Sequence, residues 1–131
     1  MYDWLKDYHK IENQIAYLEF NLEQTERELK RWVDGDLQKI KLQSDSAGAR
    51  VEDKLEQIRN ELTYKQEQRN QLILLVSTFK GLDEQILKLK YIDGLTLDKV
   101  AEQLGYSDSH IKKRHAELVR TIKFVEDYIA L

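Results

Sequence analysis

Apolar residues recur in alternating steps of three and four over the first quarter of the chain. The series comprises Met1, Trp4, Tyr8, Ile11, Ile15, Leu18, Leu22, Leu29 and Trp32, with Thr25 as a polar break between Leu22 and Leu29. Because this spacing brings apolar groups onto one face of a helix, it is typical of a coiled-coil seam. Gly35, which lies between Asp34 and Asp36, favours a helix end. The pattern predicts one long helix that starts at Met1.

A second apolar series with the same spacing follows a connection that has no helical stripe. It comprises Val51, Leu55, Ile58, Leu62, Leu72, Val76 and Phe79, with the cations Lys65 and Arg69 as an anomaly at the two seam positions in between. Two matched seams joined by one connection predict an antiparallel coiled-coil hairpin over residues 1–80, with a loop at about 34–50. In this register Leu29 pairs with Leu55.

The C-terminal part of the chain, residues 81–131, is predicted to form a second module. Gly81 breaks the second long helix, and Asp83 can cap the next one. The buried side of that next helix is predicted to consist of Ile86, Leu87, Leu89 and Tyr91. The break is short, which favours close packing between the hairpin and this module.

Residues 95–119 have the pattern of two helices that meet at a glycine. Three residues lie on one face of the first helix: Val100, Ala101 and Leu104. Gly105 can take the left-handed conformation that ends this helix. Ser107 can cap the second helix through its hydroxyl, and Ile111 would lock the two helices together. This layout predicts a helix-turn-helix, so the chain as a whole is predicted to be all-α.

The same packing leaves polar residues facing outward at the start of the second helix. They are Ser107, Asp108, Ser109, Lys112 and Lys113. In a helix-turn-helix this part of the second helix enters the major groove of double-stranded DNA. The predicted DNA contacts are Ser107, Ser109, His110, Lys112, Lys113 and Arg114. Of these, Arg114 would reach only the flank of the site.

The distribution of charge agrees with a nucleic-acid partner better than the total does. The formal net charge of −3 opposes non-specific binding to phosphates. Within residues 110–123, however, the single acid Glu117 is accompanied by five cations. These are Lys112, Lys113, Arg114, Arg120 and Lys123. Positive charge is thus concentrated on the predicted recognition helix.

From Leu82 onward the chain resembles region 4 of bacterial sigma factors, over the run LDEQILKLKYIDGLTLDKVAEQLGYSDSHIKKRHAEL. In both, a helix that ends in an "L-x-Y-x-D-G" style turn precedes the helix-turn-helix. The whole layout is similar to the small sigma-like regulators of phages and prophages of Gram-positive bacteria, including late-transcription activators. The resemblance implies a sequence-specific transcriptional regulator that reads promoter DNA with the helix starting near Ser107. It also implies RNA polymerase as a partner, which the N-terminal hairpin could hold.

Composition argues against other classes of protein. Cysteine is absent, so no disulfide framework or zinc knuckle is expected, and the cytoplasm is the expected compartment. His110 and His115 cannot share a helical face, so no metal site is predicted. No run is long and apolar enough for a membrane span or a signal peptide. The carboxylates have helix-surface spacing, so we expect no enzyme, no cofactor and no small-molecule substrate.

The apolar pattern continues beyond Val119 through Ile122, Val125 and Ile129, so the second helix is predicted to run almost to Leu131. Such a tail needs cover, either from residues of the same chain or from a second subunit. Symmetric dimers are common among DNA readers, and a homodimer is therefore expected. The alternative function is a coiled-coil adaptor whose C-terminal module binds protein and not DNA.

Overall fold

The computed structural model describes residues 1–34 and 41–130, with the side chains of all of these except 34, 41–47, 129 and 130. The helices are α1 (Tyr2–Lys6), α2 (Tyr8–Asp34), α3 (Lys41–Thr78), α4 (Leu82–Leu87), a π-helix (Lys88–Ile92), α5 (Leu97–Leu104) and α6 (Asp108–Ala130). The described residues contain no β-strand, which confirms the predicted all-α fold. None of the helices described is long and apolar enough to cross a membrane.

The predicted first helix is interrupted at Asp7. The backbone N–H of Asp7 donates to the carbonyl oxygens of Asp3 and Trp4, at 3.1 and 3.0 Å, and α2 starts one residue later. Leu5, which lies off the predicted seam, is fully buried, and α1 packs against α6. The prediction of one uninterrupted helix is therefore wrong, because the chain turns here to bury Leu5.

Residues Glu12–Glu67 form one compact unit, built from parts of α2 and α3. Leu29 on α2 lines the same pocket as Leu55 on α3. Glu26 precedes Leu29 by three residues on α2, and Arg59 follows Leu55 by four residues on α3. Glu26 Oε1 lies 3.4 Å from Arg59 Nη2. The two helices therefore run antiparallel, in the predicted register. Coiled-coil packing along the whole seam stays a prediction.

About half of the predicted loop is helical. Helix α3 begins at Lys41, so the loop predicted at about 34–50 is wrong for residues 41–50. Residues 35–40, including the predicted helix stop at Gly35, lie outside the described residues. Small polar residues disfavour a helix only weakly, and extending a helix that already packs at Val51 adds one hydrogen bond per residue. The existing helix therefore outweighs the local loop preference.

The second compact unit consists of Met1–Ile11 and Gln68–Leu131. Within it α6 packs against α1, α4 and α5, and the π-helix packs against α4 and α5. Its most deeply buried apolar residues are Leu5, Leu72, Ile86, Leu87, Val100, Ala101 and Ile111. Leu72 belongs to α3, so this unit includes the end of the predicted hairpin as well as residues 81–131. The chain passes from one compact unit to the other after Ile11 and after Glu67, and not at residue 80.

Helix α6 continues to Ala130, close to the predicted end. Its buried residues beyond Ile111 are Leu118 and Ile122. Phe124, Val125 and Tyr128 are 70%, 47% and 73% exposed. Cover from the same chain therefore extends to about Ile122, and the side chain of Ile129 lies outside the described residues.

Candidate nucleic-acid interface

Helix α5 has a defined cap at each end. Thr96 Oγ1 accepts a hydrogen bond from the backbone N–H of Lys99, at 3.3 Å. Gly105 ends the helix with φ +77° and ψ +27°, the left-handed conformation that glycine adopts without steric cost. The backbone N–H groups of Gly105 and Tyr106 both donate to the carbonyl oxygen of Ala101, at 2.9 and 3.0 Å. The turn after α5 is therefore tight, as predicted.

The start of α6 is fixed by Ser107. Its Oγ accepts a hydrogen bond from the backbone N–H of His110, at 3.2 Å, and its carbonyl oxygen accepts one from the N–H of Ile111, also at 3.2 Å. Ile111, Val100 and Ala101 are all completely buried. The helix cap and the apolar lock of a helix-turn-helix are therefore both confirmed.

The polar residues at the start of α6 face solvent. All five positions predicted to point outward are exposed, and so is His110. Lys113 forms no ion pair with any of the described residues. Lys112 Nζ lies 3.2 Å from Asp98 Oδ1, and both side chains are more than half exposed. An exposed pair of this kind contributes little stability, so a phosphate can replace the carboxylate.

Arg114 differs from its two lysine neighbours because it already has partners. Its Nε and Nη2 donate to the two carboxylate oxygens of Asp83, at 2.6 and 2.7 Å, and its Nη1 donates to Glu117 at 3.1 Å. The hydrogen bonds from Arg114 lower the pKa of Asp83, and the charge of Arg114 adds to this effect. A bidentate pair has a fixed geometry that fastens α6 to α4. The guanidinium of Arg114 is therefore engaged within the protein, which opposes the predicted contact with DNA.

An aromatic pair at this surface was missed from the sequence. The rings of Tyr106 and His110 are stacked, with centroids 5.1 Å apart and an angle of 20° between their planes. Tyr106 is 47% exposed and belongs to the turn itself. The i, i+4 rule for helices could not have found it, because Tyr106 lies before the first residue of α6.

Acidic residues limit the positive potential of the surface. Asp108 is exposed in the first turn of α6, and Asp98 is exposed in the first turn of α5. Carboxylates suit a helix N-terminus because of the helix dipole, but they repel a nearby phosphate. Among the described residues, no group of His, Cys, Asp or Glu could hold a metal ion. The chemistry of this surface is therefore that of hydrogen bonding and of two exposed ammonium groups.

The geometry has a counterpart in one protein family. Residues 80–123, about one third of the chain, match the family model "Sigma-70, region 4". The matched segment contains α4, the π-helix, α5 and most of α6. No curated protein and no solved structure is significantly similar to the chain. Residues 80–123 are therefore similar to sigma-70 region 4, which is a DNA-binding helix-turn-helix.

Proposed function

We propose that this protein is a sequence-specific transcriptional regulator that reads promoter DNA with the start of α6. The observation that carries the proposal is the exposure of the polar residues between Ser107 and Lys113, at the N-terminal end of a capped and locked second helix. The family match over residues 80–123 supports it independently.

In the proposed complex the first two turns of α6 enter the major groove. Ser109 and His110 can donate to and accept from base edges, and Lys113 can donate to the acceptor atoms of guanine. Lys112 exchanges Asp98 for a backbone phosphate, a contact that positions the helix without reading sequence. Ser107 keeps its capping bond and contacts DNA with its remaining donor capacity. Arg114 stays on Asp83 and holds α6 in place.

Three finer features of this function rest on resemblance and composition. The resemblance to phage and prophage regulators of Gram-positive bacteria supports a role in late transcription in the cytoplasm. RNA polymerase is the proposed second partner, contacted by the hairpin of α2 and α3. A column that carries purified polymerase should retain the full chain. A variant in which the charged residues of the hairpin are reversed in sign should pass through the column.

Homodimerisation is proposed for the last turns of α6. Phe124 and Tyr128 stack on each other, with centroids 6.5 Å apart, and both are exposed together with Val125. A second copy could cover this apolar strip. Light scattering after size-exclusion chromatography should give twice the mass of one chain for the wild type. The Phe124→Glu variant should give the mass of one chain. A monomeric wild type would contradict the dimer.

DNA binding is tested by the salt dependence of affinity. Duplexes selected from a random library are titrated with the wild type and with a Lys112→Ala/Lys113→Ala variant, at several salt concentrations. The variant should bind about ten- to a hundredfold more weakly, with a log–log salt slope smaller by about one, because Lys112 is the phosphate contact of the pair. A Lys30→Ala/Lys54→Ala variant, which removes two exposed lysines from α2 and α3, is the matched control and should bind normally.

The same titration separates the regulator from a coiled-coil adaptor. An adaptor without a DNA target would select no duplex from the library, and any residual binding would be equally weak in both double variants. Selection of a common sequence with an unchanged salt slope would leave DNA binding in place but remove the two lysines from the interface.

A further inference from the structure

A pocket of about 360 Å³ lies in the compact unit that contains the helix-turn-helix. It is bounded by α1, the first turn of α2, the π-helix and α6. Its lining consists of Tyr2, Lys6, His9, Lys90, Tyr91 and His115. These residues come from four separate segments, so no sequence motif marks the pocket. None of them belongs to the proposed DNA-contacting surface.

The lining is cationic and aromatic, and it includes no carboxylate. Lys6 Nζ lies 5.0 Å from the centre of the Tyr2 ring, and Lys90 Nζ lies 5.6 Å from that of Tyr91. Lys123 Nζ adds a third ammonium group, 4.8 Å from the Tyr2 ring. Asp3 lies 3.5 Å from Lys6 Nζ, but its side chain is 86% exposed and does not line the pocket. The aromatic faces thus hold several ammonium groups near one cavity, and of these Lys6 also pairs with Asp3.

The backbone beside the pocket forms a π-helix, which brings two of the lining residues close to α6. The N–H of Asp93 donates to the carbonyl oxygen of Lys88, at 2.9 Å, which closes the wide turn of the π-helix. This turn contains both Lys90 and Tyr91, and Tyr91 Oη lies 2.6 Å from Nε2 of His115 on α6. π-Helical turns are rare and are frequently found at functional sites.

Gly94 allows His9 to reach this region. Gly94 has φ +77°, and a Cβ added there would lie 3.1 Å from His9 Nε2. Any side chain at this position would therefore press on the imidazole as well as strain the backbone. The close approach lets an imidazole from α2 join the residues of the π-helix.

The lining of the pocket carries two ammonium groups and no carboxylate, and the adjoining Glu126 pairs with the N-terminal ammonium of Met1. The pKa of His115 is lowered, first by burial and then by the positive charge of Lys90. Burial is also the main cause that raises the pKa of Tyr91, with Tyr2 contributing a hydrogen bond. His115 and Tyr91 are consequently both neutral at neutral pH, and the phenol can donate to the free Nε2.

We propose that this pocket binds the phosphate group of a small solute. Ammonium groups act as point charges with rotatable donors, which suits a tetrahedral anion, whereas planar carboxylates are better matched by the guanidinium fork that this lining lacks. The volume is at the lower end of the range for ligand pockets. Because the lining comes from four segments, the bound phosphate ties α1 and α2 to the π-helix and α6. The proposal does not depend on DNA binding.

The experiment titrates inorganic phosphate into the full chain and follows the imidazole Cε1–H resonances by NMR. Potassium chloride at matched ionic strength and pH is the reference. The three histidines of the chain provide an internal control, since His9 and His115 line the pocket and His110 lies on the DNA-contacting surface. His9 and His115 should shift saturably with one common affinity, and His110 should not shift. Equal shifts at all three histidines, or none at His9 and His115, would overturn the proposal.

Variants assign the shifts to the pocket. Lys90→Gln should weaken phosphate binding by about fivefold or more, because it removes a charged donor. Lys88→Gln removes an exposed lysine from the same π-helix and should leave the affinity unchanged. Lys6→Gln should also weaken phosphate binding. The Lys6 side chain is about half exposed, so this variant tests the site even if Lys90→Gln disturbs folding. Equal affinities for all three variants would contradict the site.

A last arm distinguishes a free phosphate compound from a DNA backbone phosphate. Addition of a selected duplex should shift His110 and leave the phosphate-induced shifts of His9 and His115 in place. If the duplex displaces phosphate from the pocket, and Lys90→Gln weakens DNA binding as much as Lys113→Ala does, the pocket belongs to the DNA interface and the small-solute proposal is wrong.

Discussion

Helix α6 contains two adjoining stretches that both carry cations but differ in structure. From Asp108 to Lys113 the polar side chains are exposed, and Lys113 has no ion-pair partner among the described residues. From Arg114 to Ile122 the guanidinium of Arg114 is held by Asp83 and Glu117, His115 is hydrogen-bonded to Tyr91, and Leu118 and Ile122 are buried. The first stretch is available to a partner, and the second stretch fixes the helix within the unit.

The difference shows that a run of cations does not by itself identify a binding surface. Lys112, Lys113 and Arg114 are consecutive, yet a helix turns by about 100° per residue, so consecutive residues face different surroundings. Arg114 faces the carboxylate of Asp83 on α4, whereas Lys113 faces solvent. Availability for DNA is decided by what lies opposite each side chain.

The largest effect on stability is expected from Ile111, the one buried residue in the exposed stretch Asp108–Lys113 of α6. Ile111 is completely buried, so Ile111→Ala should lower the free energy of unfolding by about 2–5 kcal/mol through the cavity it leaves. Denaturant titration followed by circular dichroism measures the change. Tyr106→Ala, on a half-exposed side chain in the adjoining turn, is the comparison and should cost much less. Equal losses for the two variants would mean that Ile111 does not lock the helices.

The turn before α6 should also respond strongly to substitution. Gly105→Ala should destabilise the protein by about 1–2 kcal/mol, because φ is positive there and a Cβ strains that conformation. Gly48 lies within α3 with open space around its Cα, and Gly48→Ala should stabilise by about 0.5–1 kcal/mol. The two substitutions are chemically identical, so thermal unfolding of both isolates the effect of the backbone conformation. Stabilisation by Gly105→Ala would contradict the left-handed cap.

A smaller effect is expected from the ion pair that distinguishes Arg114 from Lys113. Arg114→Gln and Asp83→Asn should each lower Tm, and the double variant should lose less than the sum because both remove the same interaction. The pKa of Asp83 is lowered in the folded state, so its contribution is present above the pKa of the unfolded carboxyl, about 3.9. It is lost as the pH falls through the lower, folded pKa. Strict additivity of the two losses would argue that the pair does not stabilise the fold.

The smallest effect is a pH dependence that arises from His115. Its pKa is lowered in the folded state by burial and by Lys90, so the unfolded chain binds a proton at higher pH than the folded one does. Stability should therefore fall as the pH decreases from the unfolded value of about 6.5 towards the folded pKa. His115→Gln should flatten this part of the Tm-against-pH curve. A curve unchanged by His115→Gln would remove His115 as the cause.

The sequence predicts those features that depend on local pattern. In the helix-turn-helix, periodicity and cap chemistry specify the role of each residue within one short segment. The residues that take their predicted roles are Val100, Ala101, Gly105, Ser107 and Ile111. The direction of the α2–α3 pair follows from their matched seams. The resemblance to sigma-70 region 4 agrees with the family match over residues 80–123.

What the sequence could not predict depends on contacts between distant residues. The break at Asp7 has no proline or glycine to mark it, and it depends on the packing of α1 against α6. The pairing of Arg114 with Asp83 joins residues on two different helices. The helical start of α3 at Lys41 overrides a local loop preference because it extends a helix that is already packed.

The central claim is tested most directly by mapping the DNA contact on the protein. A duplex selected from random DNA is titrated into ¹⁵N-labelled full chain, and the backbone amide shifts are followed by NMR. The account predicts that the largest shifts occur from Tyr106 to Lys113, with small shifts at Arg114 and none that saturates in residues 41–67. Saturable shifts concentrated on α2 and α3, with the start of α6 unchanged, would contradict it.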